Sequence, residues 1–159
     1  MTRLRGRCPR GQRLLAKIPF GHWETTTLVA ALGIDGIRCA TQLEGAINAD
    51  YFQAFVRQVL VKKLRPGDIV VMDNLSSHKG EPVRRFIEAA GAELLYLPPY
   101  SPDFNPIEHI FAKIKQLLRS LAIRTTDILW SSMQTVLDAV TPSDADNCFR
   151  SCGYTLRLG

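Results

Sequence analysis

Four cysteines are spread through 159 residues, and none of them stands in a CxxC pair or close to a histidine. That spacing argues against zinc, and a disulfide framework is out of place in a chain of this length. Buried or inert thiols in a reducing cytoplasm are the expectation for Cys8, Cys39, Cys148 and Cys152. There is no run of 18 apolar residues, and the arginine-rich start has no apolar stretch behind it, so neither a membrane span nor a signal peptide is expected. Internal repeats, low-complexity tracts, a phosphate-cradling glycine loop and a nucleophile elbow are all missing as well. What remains has ordinary proportions: 46% hydrophobic and 22% charged residues, which excludes disorder as an overall description. One domain is expected at this length, and such a domain buries roughly 70% of its unfolded surface without staples.

The formal net charge is +5, and its distribution says more than its size. Arg3, Arg5, Arg7, Arg10, Arg13 and Lys17 all precede the first acidic residue, Glu24. Charge alone leaves two readings open, a solvated terminus or an arm that touches phosphates.

Periodicity predicts a mixed α/β order. Trp23 to Ile34 reads as a strand, Asp35-Gly36 as a turn, and Ile37 to Leu43 as its antiparallel partner. Asn48 or Asp50 can cap a helix carrying Phe52, Phe55, Val56, Val59 and Leu60, which Arg65-Pro66-Gly67 stops. Asp68 to Asp73 is a short apolar run closed by acids, expected to be buried on both faces. A helix from Glu81 to Ala90 and a strand from Ala92 to Leu97 follow. Four prolines between Pro98 and Pro106 then force an edge or surface loop. The helix after it presents Ile107, Ile110, Phe111, Ile114, Leu117, Leu118 and Leu121 as one stripe. Thr125 to Cys152 reads as one or two helices, interrupted at Thr141-Pro142. A hairpin followed by alternating helices and strands argues for a sheet with helical crossovers.

Two carboxylates stand out, and each has a purely structural explanation. Asp73 ends a strand where open α/β sheets place their ligands, yet Asp73-Asn74 can equally start a turn. Glu108 lies three residues after Asn105, so Asn105-Pro106-Ile107-Glu108 reads as a capping box worth about 1 kcal/mol. The functional reading of Glu108 rests on its face of the helix, which Lys115 and Arg119 share, opposite the apolar stripe.

Taken together the segments become specific. Val70-Val71-Met72-Asp73-Asn74, then Ser77-His78-Lys79, then Leu97 through the prolines to Pro106-Ile107-Glu108 closely resembles DDE-type transposases. The branch it is similar to is the bacterial insertion-sequence group of the mariner-like superfamily. Thirty-four residues lie between Asp73 and Glu108, and the resemblance runs from about Thr2 to about Leu121.

The resemblance implies a ribonuclease-H-like fold: a mixed sheet with helices on both faces. It also implies that Asp73 and Glu108 are the second and third acids of a triad holding two magnesium or manganese ions. One cation would activate the attacking oxygen and the other stabilise the leaving 3′-oxygen, in phosphodiester cleavage and strand transfer at transposon ends. Lys79, Lys113, Lys115, Arg119, Arg3, Arg5 and Arg7 are the candidate DNA contacts, while Asn74, His78 and Asn105 could hold the ligands from behind. His78 as an ordinary surface histidine stays open.

The family's first aspartate belongs on an opening strand ahead of the basic segment, and Met1-Thr2-Arg3 matches the stretch just after it. The expectation is a fragment with an incomplete metal site, weak or inactive alone, comprising a partial catalytic domain over residues 1–122 and a helical extension over 123–159. Alternatives are a non-catalytic module that binds DNA or another transposase subunit, and an unrelated enzyme using Asp73 and His78 as an acid–base pair. The expected location is cytoplasmic and nucleoid-associated.

Overall fold

Residues 6–15, 25–123 and 125–155 are described by the computed structural model. The threonine- and valine-rich segment forms β1 (Thr26–Gly33), paired antiparallel with β2 (Gly36–Glu44). The turn itself is Ile34-Asp35, and Gly36 opens β2 at φ +115°, which a side chain would resist. The register steps from Ala31↔Cys39 to Leu32↔Ile37, so Arg38 is the extra residue of a bulge. The bulge aims its guanidinium at Asp35 (3.3 Å) and, across the fold, at Asp68 (2.9 Å).

Asn48 accepts from the Tyr51 amide and starts α1 (Ala49–Phe55), which continues as a π-helical turn over Val56–Leu60 and a 3-10 turn over Val61–Lys63. After Arg65-Pro66-Gly67 comes β3 (Ile69–Met72), then α2 (Glu81–Ala89) and β4 (Glu93–Tyr96), parallel to β3. The remaining helices are α3 (Pro106–Ser120), α4 (Thr126–Asp138) and α5 (Pro142–Ser151).

Alternation along β1 sends its side chains to two cores. Val29 and Ala31 pack on a cluster made by Phe52, Phe55, Val56, Ile87 and Leu94. Leu28 and Leu32 pack on the other, built from Ile110, Ile114 and Leu118 of α3 with Met133 and Val136 of α4. Helices therefore cover both faces of the β1–β2 sheet. At the far end, a complete capping box joins Thr141 and Asp144 at the start of α5. Lys113 of α3 binds the same carboxylate, and with the Thr141 hydroxyl and amide it holds Asp144 down to about 2.

Two sequence expectations need correcting. Ile69 of β3, expected to be buried on both faces, is 58% exposed. The reason is topological: among the described residues the four strands form two separate pairs, β1–β2 and β3–β4, with no ladder joining β1 to β3. The expected capping box at the start of α3 is also not made, because Asn105 occupies the cap position without a side-chain hydrogen bond. The prolines explain part of this. Pro106 already fixes the first helical φ and has no N–H to satisfy, so the turn closes through the Glu108 amide donating to the Asn105 carbonyl (3.1 Å). The four cysteines are free; Cys152 is buried, whereas Cys8 is exposed. Among the described residues, no helix is long and apolar enough to cross a membrane.

Candidate functional site

Asp73 directly follows β3, where the strand gives way to a 3-10 turn over Ser76–His78. Its carboxylate accepts weakly from the Leu75 amide (3.4 Å) and is in contact with Nδ1 of His78. That histidine is held on three sides. Its ring stacks on Phe52 with centroids 4.0 Å apart, its Nδ1 meets Asp73, and its carbonyl accepts from the Tyr96 hydroxyl (3.0 Å). A helix, the strand end and β4 thus converge on one residue, Phe52 and Asp73 on its imidazole and Tyr96 on its backbone, and the imidazole in turn meets the Asp73 carboxylate.

Glu108 stands in the first turn of α3, exposed, where the positive end of the helix favours an anion. With no capping box to engage it, Glu108 lines a cavity of about 490 Å³ that Asp73 also lines. Asn74, Asn105, Lys79 and the proline-rich loop complete those walls. Tyr100, at the loop's tip, has φ +56°, a conformation a tyrosine adopts at a cost of about 1–3 kcal/mol, and it is fully exposed.

The cationic residues divide. Lys79 lines the cavity, and Lys115 and Arg119 lie exposed along α3 beyond Glu108. The Lys113 ammonium is taken up by Asp144. Arg7 is exposed, and Arg3 and Arg5 lie outside the described residues, as do Lys17, His22 and Trp23. His109 is an exposed neighbour of Glu108. Among the described residues, no group of three or more histidine, cysteine, aspartate or glutamate side chains is poised around a common point.

Sequence reasoning missed the Phe52–His78 stack and the Tyr96 contact. Phe52 sat on the apolar period of its helix, and nothing in that period marks which aromatic will meet a histidine 26 residues later.

Comparison with known proteins gives the arrangement a context. Residues 1–130 match the model of the family described as DDE superfamily endonuclease. The Tc1 transposase of the transposable element in Caenorhabditis elegans is 25% identical over 92 residues, 58% of this chain and 34% of that protein. The Tcb2 transposase of Caenorhabditis briggsae is 27% identical over 79 residues, 50% of this chain and 29% of its own length. The chain therefore spans about a third of the length of these relatives. Among solved structures it is similar to the Mos1 strand transfer complex, with a TM-score of 0.70, 21% identity and coverage of 98% of this chain and 51% of that one. It is also similar to the Mos1 transposase catalytic domain with Raltegravir and Mg, with a TM-score of 0.63, 21% identity and coverage of 84% and 78%. The likeness gives the chain a ribonuclease-H-like fold.

Proposed function

The chain belongs to the DDE superfamily endonuclease family, and from that premise we propose that it is a catalytic-domain portion of a DNA transposase. One observation carries the reading: Asp73 at a strand end and Glu108 at a helix start line one cavity, and Glu108 is not taken up by the capping box that could have explained it. Residues 1–122 form the catalytic portion in this reading, and α4 and α5 extend it.

The donor set suits hard divalent cations. Asp73, Glu108, Asn74 and Asn105, all with side-chain oxygens, line the cavity, and no cysteine is among its walls in the described residues. When bound, magnesium or manganese supplies charge to a phosphate oxygen and activates the attacking oxygen. The protein's own part is to fix Asp73 through His78 and Phe52, to keep Glu108 uncapped, and to offer Lys79, Lys115 and Arg119 to the DNA backbone. Such contacts are salt-sensitive and carry no sequence information by themselves. The substrate is duplex DNA at transposon ends, the partners are that DNA, the target DNA and either another transposase subunit or a second copy of this chain in a homodimer, and the reaction is phosphodiester cleavage and strand transfer.

Two carboxylates leave a pair of cations short of anionic ligands. The described chain alone is therefore expected to cleave a duplex weakly or not at all with manganese. Robust cleavage by the isolated chain that depends on Asp73 would contradict the incompleteness. DNA binding that persists in Asp73→Ala and Glu108→Ala, with no metal-dependent cleavage under any condition, would favour a binding module without catalysis. The contact between Asp73 and His78 also has the form of an acid–base pair; in that case activity would be independent of divalent cations.

The role of His78 has its own test. His78→Phe keeps an aromatic ring against Phe52 and deletes the contact to Asp73. Manganese affinity, read by titration, should fall about tenfold or more, the usual effect of removing a residue that orients a ligand. An unchanged affinity would reduce His78 to a packing residue.

A further inference from the structure

Helix α3 begins without a side-chain cap, and its first turn carries Glu108. The segment leading into it is a single 3-10 turn over Pro102–Phe104. That turn is closed by the Phe104 amide on the Ser101 carbonyl (3.2 Å) and the Asn105 amide on the Pro102 carbonyl (2.9 Å). Short 3-10 turns have poor hydrogen-bond geometry, and the Phe104 side chain gives little anchorage, being 52% exposed. The hold on this turn comes instead from the far end of the chain. The Tyr154 hydroxyl donates to the Phe104 carbonyl at 2.8 Å, across 50 residues.

Tyr154 is aimed by the way α5 ends. Gly153 follows the C-cap Cys152 at φ +85°, a left-handed conformation that glycine adopts without steric cost. The Gly153 amide then donates to the Arg150 carbonyl and the Tyr154 amide to the Phe149 carbonyl, both at 3.0 Å. These are the two bonds of a Schellman motif, which commonly brings the residue after the glycine against the last full turn of the helix. Here the contact is aromatic: Phe149 and Tyr154 meet edge to face with centroids 5.7 Å apart. Backbone, ring and hydroxyl of the half-buried tyrosine are therefore all engaged. Burial pushes its hydroxyl pKa up, which keeps the proton it donates.

Helix α5 is thereby tied to α3 at two points. Near its start Asp144 binds Lys113, in the middle of α3, and beyond its end Tyr154 holds the turn that precedes α3. The two helices run antiparallel, and the amino-terminal half of α3 is braced between those ties. The loop is reached at one more place, because the Asp103 carboxylate adds to the effect of burial in pushing up the Cys152 thiol. Phe149, Tyr154 and Asn105 line a cavity of about 510 Å³ together with Asp73 and Glu108.

We propose that Tyr154 is a positioning residue for Glu108: its hydroxyl, by holding the Phe104 carbonyl, fixes the turn that sets where Glu108 stands relative to Asp73. The residue lies beyond residue 130, where the family match ends. The inference rests on the reading that Asp73 and Glu108 hold a divalent cation, and it makes the end of α5 part of that site's support.

The test is Tyr154→Phe in the full chain, which deletes the hydroxyl and keeps a ring against Phe149. Amide exchange at Phe104, Asn105 and Glu108 should quicken by about tenfold, while Ile114 and Leu118 in the same helix exchange as before. Manganese affinity, read from the relaxation of bulk water, should weaken about threefold to tenfold, the lower end of what removing a ligand's support costs. A tyrosine that only stabilised the fold would lower the melting temperature and leave the affinity alone. Faster exchange with unchanged affinity, or exchange unchanged at all three amides, would each overturn the proposal. Failure of the metal reading looks different: the unsubstituted chain would bind no manganese, or Glu108→Gln would bind it equally well, and Tyr154 would then have no site to position.

Discussion

Asp73→Asn should lower whatever manganese-dependent cleavage of duplex DNA the chain shows by about a hundredfold to a thousandfold, measured at high enzyme concentration so that weak activity is read. The substitution keeps the size and one oxygen of the side chain but removes its charge, and charge is what a hard cation draws on. Glu108→Gln should do the same. Because the two carboxylates act on one centre, the double variant should be scarcely worse than either single one, since losses within one catalytic unit are not additive. Asn at position 73 also gives up the charged contact with His78, so melting temperatures must be compared. With Asp73 a third exposed, that contact is a small contributor to stability, and the fold should survive its loss. A loss of cleavage accompanied by unfolding would not count in favour of the metal reading. Equal cleavage by a folded Asp73→Asn chain would remove Asp73 from the site.

The second large effect is on stability. Ile110→Ala should destabilise the fold by about 3–4 kcal/mol in denaturant titration, a large share of the roughly 5–15 kcal/mol that holds a domain of this kind. Ile110 has no solvent exposure and lies in the cluster where α3 and α4 meet beneath the even-numbered side chains of β1. Truncation removes three carbons and leaves a hole among Ile114, Leu118, Met133 and Val136. Ile110 is two residues from Glu108, so the same substitution should also loosen the start of α3. A cost below about 1 kcal/mol would mean that the site collapses freely and that the α3 core does not fix the position of Glu108.

Much of this was legible in the residues. The proline-rich lead into Glu108 and the 34 residues separating it from Asp73 pointed to the family that residues 1–130 match. The hairpin, α2, β4 and the break at Thr141-Pro142 followed from turn chemistry and period. What stayed hidden depends on distance in space. The Arg38 bulge is a register slip between strands that alternation cannot reveal. The π-helical turn keeps Val56 and Leu60 buried with the same spacing an α-helix would show. Asn105 and Glu108 have the letters of a capping box, but the hydrogen bond is not made, and that difference leaves Glu108 available. Ile69-Val70-Val71-Met72 reads as a strand covered on every side, because an unbroken apolar run does not show which of its edges is paired. One of those edges is open among the described residues.

The central claim is that Asp73 and Glu108 together hold a divalent cation. Manganese titration of the folded chain, followed by the relaxation of bulk water, tests it without requiring cleavage. The account predicts measurable binding that Asp73→Asn and Glu108→Gln each weaken at least about tenfold, with the double variant little different from the single ones. Binding that is unchanged in both variants would contradict it.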